Sequence, residues 1–377
     1  MSIEPTFTEC FNRWGFKGNP FKETYRDDFW ARPDNDIKFI KTLLSNTIED
    51  KDVLNILING EYGSGKTYAL KFLKGYVDHD LNGFGIYFQI PKKFRIQGFR
   101  DILAEFIRAI GITTLEEMGK KIADEKGFNK KSELVDYLDS LSLDGDVAKA
   151  ISNLTYGEDY ALTSTWLFGN STIHQDRALG MRFSTKDETP IVKVITSILL
   201  FLNSEYPIVA IFIDEFENLA GESQGIKSIK EGFRNLYDAL IDDDRRGPIA
   251  LITAVTARLE FDIAASTGTA FLDRIGYGFS LRPLDEDHCK KYIQQLFSDC
   301  RMNKSDAIIP PFANVSAFNL FIKTFPVTTA VPRTSSSPVK TPRRIMKTGK
   351  ILLTRACSEN KTEIDSDYII ETLGKVG

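Results

Sequence analysis

The sequence is poor in the residues that announce a disulfide scaffold, a metal centre or a membrane anchor. Cysteine occurs four times in 377 residues (Cys10, Cys289, Cys300, Cys357) and histidine three times (His79, His174, His288). Neither type forms a short-spaced set, so no disulfide framework and no Cys/His zinc site is spelled out. The simplest reading of such cysteine usage is a cytoplasmic protein. Apolar runs such as Ile198–Leu202 and Ile208–Ile213 fall far below the ~20 residues that span a bilayer, and Met1–Phe16 lacks the basic start and apolar stretch of a signal peptide. No membrane association is expected. Basic residues are not in excess either: 48 Lys+Arg stand against 52 Asp+Glu, a formal net charge of −4, so any nucleic-acid footprint must be local. What is present is 42% hydrophobic and 27% charged residues, which excludes disorder and a fibrous repeat. The length suggests two domains, or one large domain with a small one appended.

Short runs that are apolar at nearly every residue read as central parallel strands covered on both faces: Val53–Ile58, Gly85–Ile90, Ile208–Ile213, Ile249–Thr256 and, more weakly, Tyr277–Leu281. Helical patterns lie between them at Lys66–Val77, Phe99–Ala109, Pro190–Asn203 and Ile229–Ile241. This alternation predicts an α/β fold with a parallel sheet. From about Gly111 to Glu188 the rhythm breaks into helical segments at Lys131–Leu141, Asp146–Asn153 and Thr165–Leu179 with no convincing strand, which reads as a helical insertion. After Leu284 the pattern is helical at Asp285–Asp299, Ala317–Thr324, Pro342–Cys357 and Asp365–Leu373, a small α-helical lid domain interrupted by a Pro/Ser-rich exposed loop at Phe325–Thr341.

The strongest signal is Gly60-Glu61-Tyr62-Gly63-Ser64-Gly65-Lys66-Thr67, a G-x-x-x-x-G-K-[ST] motif directly after a strand and directly before a helix. Small residues let the backbone curl until successive N–H groups point at phosphate oxygens, at a helix N-terminus whose dipole favours negative charge. Lys66 would reach the β- and γ-phosphates of ATP, and the Thr67 hydroxyl would ligate Mg²⁺. A second signal closes the strand Ile208–Ile213: Asp214-Glu215 places two carboxylates where ligands of open α/β sheets bind. Asp214 would hold Mg²⁺ through its water shell and Glu215 would polarise the attacking water.

With these motifs the chain resembles AAA+ P-loop ATPases, and more narrowly the clade of Orc/Cdc6-like initiators and transposition or secretion ATPases. Asn19-Pro20-Phe21 looks like that clade's lead-in, and Ile249–Thr256 sits where its sensor-1 strand runs, with Thr253 and Thr256 as candidates and Thr256 favoured by its place at the strand's end. The resemblance implies an arginine finger offered to a neighbouring subunit. Arg258, Arg274 and Arg282 lie in the right part of the chain, and Arg274, in Leu272-Asp273-Arg274-Ile275, is preferred. Thr341-Pro342-Arg343-Arg344-Ile345 looks like the sensor-2 start of a lid helix, with Arg343 and Arg344 competing for the nucleotide. The implied division is a lead-in over 1–50, a nucleotide-binding domain over 51–284 with its insertion at about 111–188, and a helical lid over 285–377. A narrower similarity, carried by Thr165-Trp166-Leu167-Phe168-Gly169, Ala178-Leu179-Gly180 and Ile211–Leu219, points to the ATP-binding proteins of bacteriophage-exclusion (BREX) defence systems. Trp166 and Leu167 read as core rather than ligand contacts. Only Thr348–Gly377 follows sensor 2, so a full winged-helix DNA-binding domain is not expected.

Two local runs could still meet nucleic acid. Pro91–Arg100 holds Lys92, Lys93, Arg95 and Arg100 with Phe94 and Phe99 and no acid, and 333–355 holds seven basic residues and no acid. Such mixtures suit a groove that tracks a nucleic-acid backbone, although a charge run is usually a solvated face. The expectation is an Mg²⁺-dependent ATPase that assembles into homo-oligomers under nucleotide control, on DNA, in a defence, replication or transposition apparatus. The alternative is a slow ATP-binding scaffold that recruits an effector protein without contacting DNA.

Overall fold

The structure, a computed structural model, describes residues 7–22, 30–32, 36–92, 97–185, 188–221, 223–242, 247–256, 269–303, 311–324 and 340–374. Its framework is a parallel five-stranded sheet: β1 (Val53–Gly60), β2 (Phe84–Gln89), β3 (Val209–Asp214), β4 (Ile249–Thr256) and β5 (Tyr277–Leu281), in the order β2-β3-β4-β1-β5. The burial explains the unbroken apolar runs. Every residue of β3 and all but the last of β4 are buried, as strands covered on both faces require, whereas β5, at an edge, exposes Tyr277. Strand pairing sets Gly60 opposite Thr256, Ile213 opposite Thr253 and Gln89 opposite Asp214, so four strands end within two residues of one another.

Two compact units divide the chain, Asp36–Gly60 with Lys66–Ser280, and Met1–Asn35 with Glu61–Gly65 and Leu281–Gly377. This differs from the expected boundaries. Within the lead-in, helix Asp36–Asp50 belongs with the sheet, burying Ile37, Ile40, Leu43 and Leu44. The segment before it belongs with the C-terminal helices instead: Phe16 and Phe21 meet Phe297 edge to face at 5.0 and 5.6 Å. Asn19 of the Asn-Pro-Phe lead-in accepts the Phe21 N–H at 2.9 Å, and Gly349 leaves room for the Phe21 ring. Helices Glu286–Cys300, Val315–Lys323, Pro342–Ser358 and Ser366–Leu373 complete this unit. Cys10 is joined to Cys357 by a disulfide, linking helix Phe7–Arg13 to Pro342–Ser358 across 347 residues, a separation at which spacing carries no pairing signal. The expected loop at Phe325–Thr341 lies outside the described residues up to residue 339.

In the sheet unit the insertion is helical, as expected, and more so. Helix Ile112–Lys126 adds Leu115, Met118 and Ile122 to a core continuous with that of the sheet. The single helix expected over Thr165–Leu179 is two, Tyr160–Leu167 and Ile173–Ala178. Gly169 turns the chain at φ +72°, and Thr172 starts the second helix through a capping box with Gln175. Trp166 and Leu167 are wholly buried, as core residues.

Helix Gln224–Asp242 lies close enough to Phe99 that a Cβ at Gly232 would sit 2.3 Å from its ring. Gly232→Ala gains up to ~1 kcal/mol in helix propensity. Displacing a fully buried ring costs ~1–3 kcal/mol. The variant is expected to lose about 1–2 kcal/mol net, seen as a lower denaturation midpoint at unchanged slope.

Candidate functional site

The site in the sheet unit is built where β1 and β3 end. Lys66 opens the helix Lys66–Gly75, and its ammonium, nearly buried, donates to the Gly60 carbonyl at 2.9 Å. One residue on, the exposed Thr67 donates its hydroxyl to Asp214 Oδ2 at 2.6 Å. Asp214 is 2% exposed, and its carboxylate is satisfied from three sides: Thr67 and Tyr87 (3.0 Å) on Oδ2, the Glu215 N–H (2.8 Å) on Oδ1. Burial, followed by the charge of Asp214, holds the Tyr87 phenol well above its ordinary pKa, so it stays a donor.

Glu215 stands in the left-handed region at φ +55°, and its Oε2 accepts from Asn218 Nδ2 at 3.2 Å. The same amide also donates to the Ile90 carbonyl at 3.0 Å, so Asn218 ties the carboxylate to the end of β2. At the end of β4, Thr256 donates its N–H to Glu217 Oε2 at 2.9 Å, while Thr253, fully buried, turns its hydroxyl to the Ile56 carbonyl at 3.3 Å. Of the two threonines, Thr256 is the one beside Gly60, with its N–H on the Glu217 carboxylate. The oxygens of Thr67 and Asp214 are hard donors of the kind that suit Mg²⁺ completed by phosphate and water.

The loop Glu61–Gly65 belongs to the other unit. Gly63 and Gly65 adopt φ of +80° and +104°, which side chains resist, and a Cβ on Gly63 would sit 2.9 Å from that of Arg343. Ser64 is buried with its hydroxyl unpartnered, and its carbonyl accepts from Arg32 Nη1 at 3.1 Å. Of the paired arginines at the start of helix Pro342–Ser358, Arg343 meets the loop. Its N–H donates to the Gly63 carbonyl (3.3 Å), its Nη1 to the Tyr62 hydroxyl (2.6 Å), and its guanidinium lies 4.8 Å from the Tyr62 ring centre. Arg344 donates its N–H to the capping Thr341 hydroxyl at 3.4 Å.

Arg274 is elsewhere. Its carbonyl accepts from Asn55 Nδ2, near the amino end of β1, and its guanidinium grips Asp238 with two bonds of 2.5 and 2.8 Å. The pair holds Asp238 below the usual carboxylate range through the hydrogen bond from Arg274. Five residues of strand at about 3.3 Å each separate Asn55 from Gly60, roughly 16 Å, so Arg274 does not serve its own Lys66. Arg282 gives its carbonyl to Arg32 Nη2. Lys92 is exposed, whereas Lys93, Arg95 and Arg258 lie outside the described residues. Tyr87, Glu217 and Asn218 were not singled out from sequence; only the last two carry a signal, since they follow Asp214-Glu215 within one turn.

No protein-family model matches the chain, and no curated protein does. Solved structures match it in architecture. The Aeropyrum pernix ORC2 protein, in its ADPNP-ADP complexes, is 11% identical at a TM-score of 0.54, over 95% of this chain and 71% of that one. Cdc6p from Pyrobaculum aerophilum is 11% identical at 0.50, over 92% and 67%. The fold is that of the Orc/Cdc6 AAA+ proteins. The Aeropyrum pernix ORC1 protein, solved in complex with DNA, is 10% identical at 0.50, over 97% of this chain and 69% of that one. The Orc/Cdc6 likeness is one of architecture, while the narrower similarity to bacteriophage-exclusion proteins rests on its sequence segments alone.

Glu217 is the side chain that fixes the end of β4 to the acidic turn. Glu217→Gln exchanges a charged acceptor for a neutral one and is expected to lose ~1 kcal/mol there. Amide exchange at Thr256 should accelerate about fivefold, with little change at the buried amides of β3.

Proposed function

We propose that the chain is an Mg²⁺-dependent ATPase of the AAA+ type that assembles with copies of itself under nucleotide control and acts on DNA. The observation that carries this reading is the 2.6 Å bond from Thr67 to Asp214, which joins the phosphate-loop helix to the acidic strand end. The likeness to the ORC1 protein solved in complex with DNA supports the DNA part, together with the exposed Lys92 at the start of the basic run that includes Lys93 and Arg95. Defence, replication or transposition is the setting that the sequence similarities suggest.

In this reading the backbone from Gly60 to Gly65 cradles the phosphates, with Tyr62, Gly63 and Ser64 in the loop and Lys66 reaching the terminal pair. Thr67 and Asp214 would hold Mg²⁺, which would supply charge neutralisation to the phosphates when bound. Glu215 orients the attacking water and takes its proton, and Thr256, at the end of β4, acts as the sensor of the terminal phosphate. Arg343 or Arg344, at the start of the lid helix, senses the nucleotide. Arg274 acts on a neighbour's nucleotide, where a positive charge aimed at the phosphoryl group is worth several orders of magnitude in rate.

Lys66→Ala is expected to abolish nucleotide binding and turnover, and normal turnover in that variant would refute the site. For Arg274 the test is mixing: Arg274→Ala chains combined with Lys66→Ala chains should regain part of the activity, since each supplies what the other lacks. Intact oligomers with no recovery would exclude the finger. Particle mass measured with ATP, with and without DNA, separates this reading from a scaffold that stays monomeric and indifferent to DNA.

A further inference from the structure

We propose that Tyr87 is a positioning residue that fixes the direction of the Asp214 carboxylate, and so sets how strongly the site responds to a divalent cation. The proposal rests on the reading of Asp214 as the metal-side carboxylate. The geometry assigns the role through a count of protons. A phenol has one proton and can accept besides. Gln89 Nε2 donates to the Tyr87 oxygen at 3.1 Å, which uses its acceptor side and leaves the phenolic proton for Asp214 Oδ2 at 3.0 Å. The chain is therefore directional: amide to phenol to carboxylate, with Thr67 arriving on the same oxygen from the opposite element.

The placement of Tyr87 reinforces the direction. It stands on β2 two residues before Gln89, which is paired with Asp214 in the sheet, so Tyr87, Gln89 and Asp214 lie on adjacent strands at one end. The ring is half-buried, and the Lys71 ammonium, on the helix that begins at Lys66, lies 5.3 Å from its centre. The phenol is thus fixed by strand and ring packing independently of Thr67. This matters because the Thr67 hydroxyl has a second task. If its lone pairs turn to a cation, its proton still needs an acceptor in the same place, and the Tyr87 bond keeps Oδ2 there. Without it, the buried charge would be held by one hydroxyl and one N–H alone, and the direction of Oδ2 would depend on Thr67.

Tyr87→Phe removes the hydroxyl and keeps the ring, so it isolates the bond from the packing. Binding of N-methylanthraniloyl-ATP to the full chain would be titrated with Mg²⁺ and compared with binding in EDTA, for wild type, Tyr87→Phe and Gln89→Ala, with Asp214→Asn as the reference for a lost metal response. The expected result is a rise of about ten- to a hundredfold in the Mg²⁺ concentration at half-maximal enhancement for Tyr87→Phe, about the loss of one hydrogen bond to a charged group. Gln89→Ala should give a smaller rise of about two- to threefold, and EDTA affinity should be unchanged in both. An unmoved Mg²⁺ midpoint in Tyr87→Phe, with wild type responding and Asp214→Asn not, overturns the role of Tyr87 alone. Absence of any Mg²⁺ response in wild type overturns the reading beneath it. Should Tyr87→Phe not fold, Gln89→Ala decides: an unmoved midpoint there overturns the proton ordering on which the role depends.

Discussion

The hydrogen bond from Thr67 to Asp214 closes a gap of 147 residues, and the rest of the site is arranged around it. Thr67 stands on the helix that follows β1 and Asp214 ends β3; β4 separates β1 from β3, and the two ends meet only because both pair in register with it. A slip of one residue between β3 and β4 would carry Asp214 about 3.3 Å along the sheet and turn it to the other face. What prevents the slip is burial. β3 has no exposed residue and β4 only a partly exposed last one, so any alternative register places the same apolar surface against different neighbours. The core is thus the part of the molecule that sets the distance between a hydroxyl and a carboxylate.

The turn after β3 is bent to the same end. Glu215 takes a left-handed backbone conformation that costs a non-glycine residue about 1–3 kcal/mol, and it persists because neighbours over-determine it. Its N–H is held by its predecessor's carboxylate, its side chain by Asn218, and the following turn by Glu217 on Thr256. The strain directs Glu215 away from the strand while Asp214 stays buried. Two neighbouring carboxylates thereby acquire separate surroundings, one enclosed by hydroxyls and the other partly open, which is what separate tasks in one site require.

Most of this framework is legible in the residue pattern because it depends on local signals. Unbroken apolar runs give the strands to within two residues, and the glycine spacing before Lys66 gives the loop. What is not legible depends on long-range contact. Arg343 and Arg344 are about 100° apart on a helix, and nothing local says which one faces Gly63. Tyr87 reads as one more aromatic in a buried strand until β2 is set beside β3. Helix Ile112–Lys126 escapes notice because its buried face carries only Leu115, Met118, Ile122 and small residues, and because one glycine separates it from the helix before. The division of the chain escapes for a similar reason: the packing of Phe16 and Phe21 on Phe297 joins segments nearly three hundred residues apart.

On the proposed reading, the position of Arg274 constrains how copies of the chain would meet. It lies toward the amino ends of the strands, tied to Asn55 and Asp238, while Lys66, Asp214 and Glu215 lie at the carboxyl ends. One sheet therefore presents the finger at one end and the phosphate site at the other. A two-fold dimer that buried the same patch twice could bring a finger to a site only if both patches lay on one face. A head-to-tail contact has no such requirement, because each chain offers one end and receives the other. Such contacts close into rings or run on as open helices according to the rotation between neighbours. The two bonds to Asp238 then acquire a purpose beyond local stability: they aim a long, flexible side chain, so that less conformational freedom remains to be lost when a neighbour's phosphate arrives.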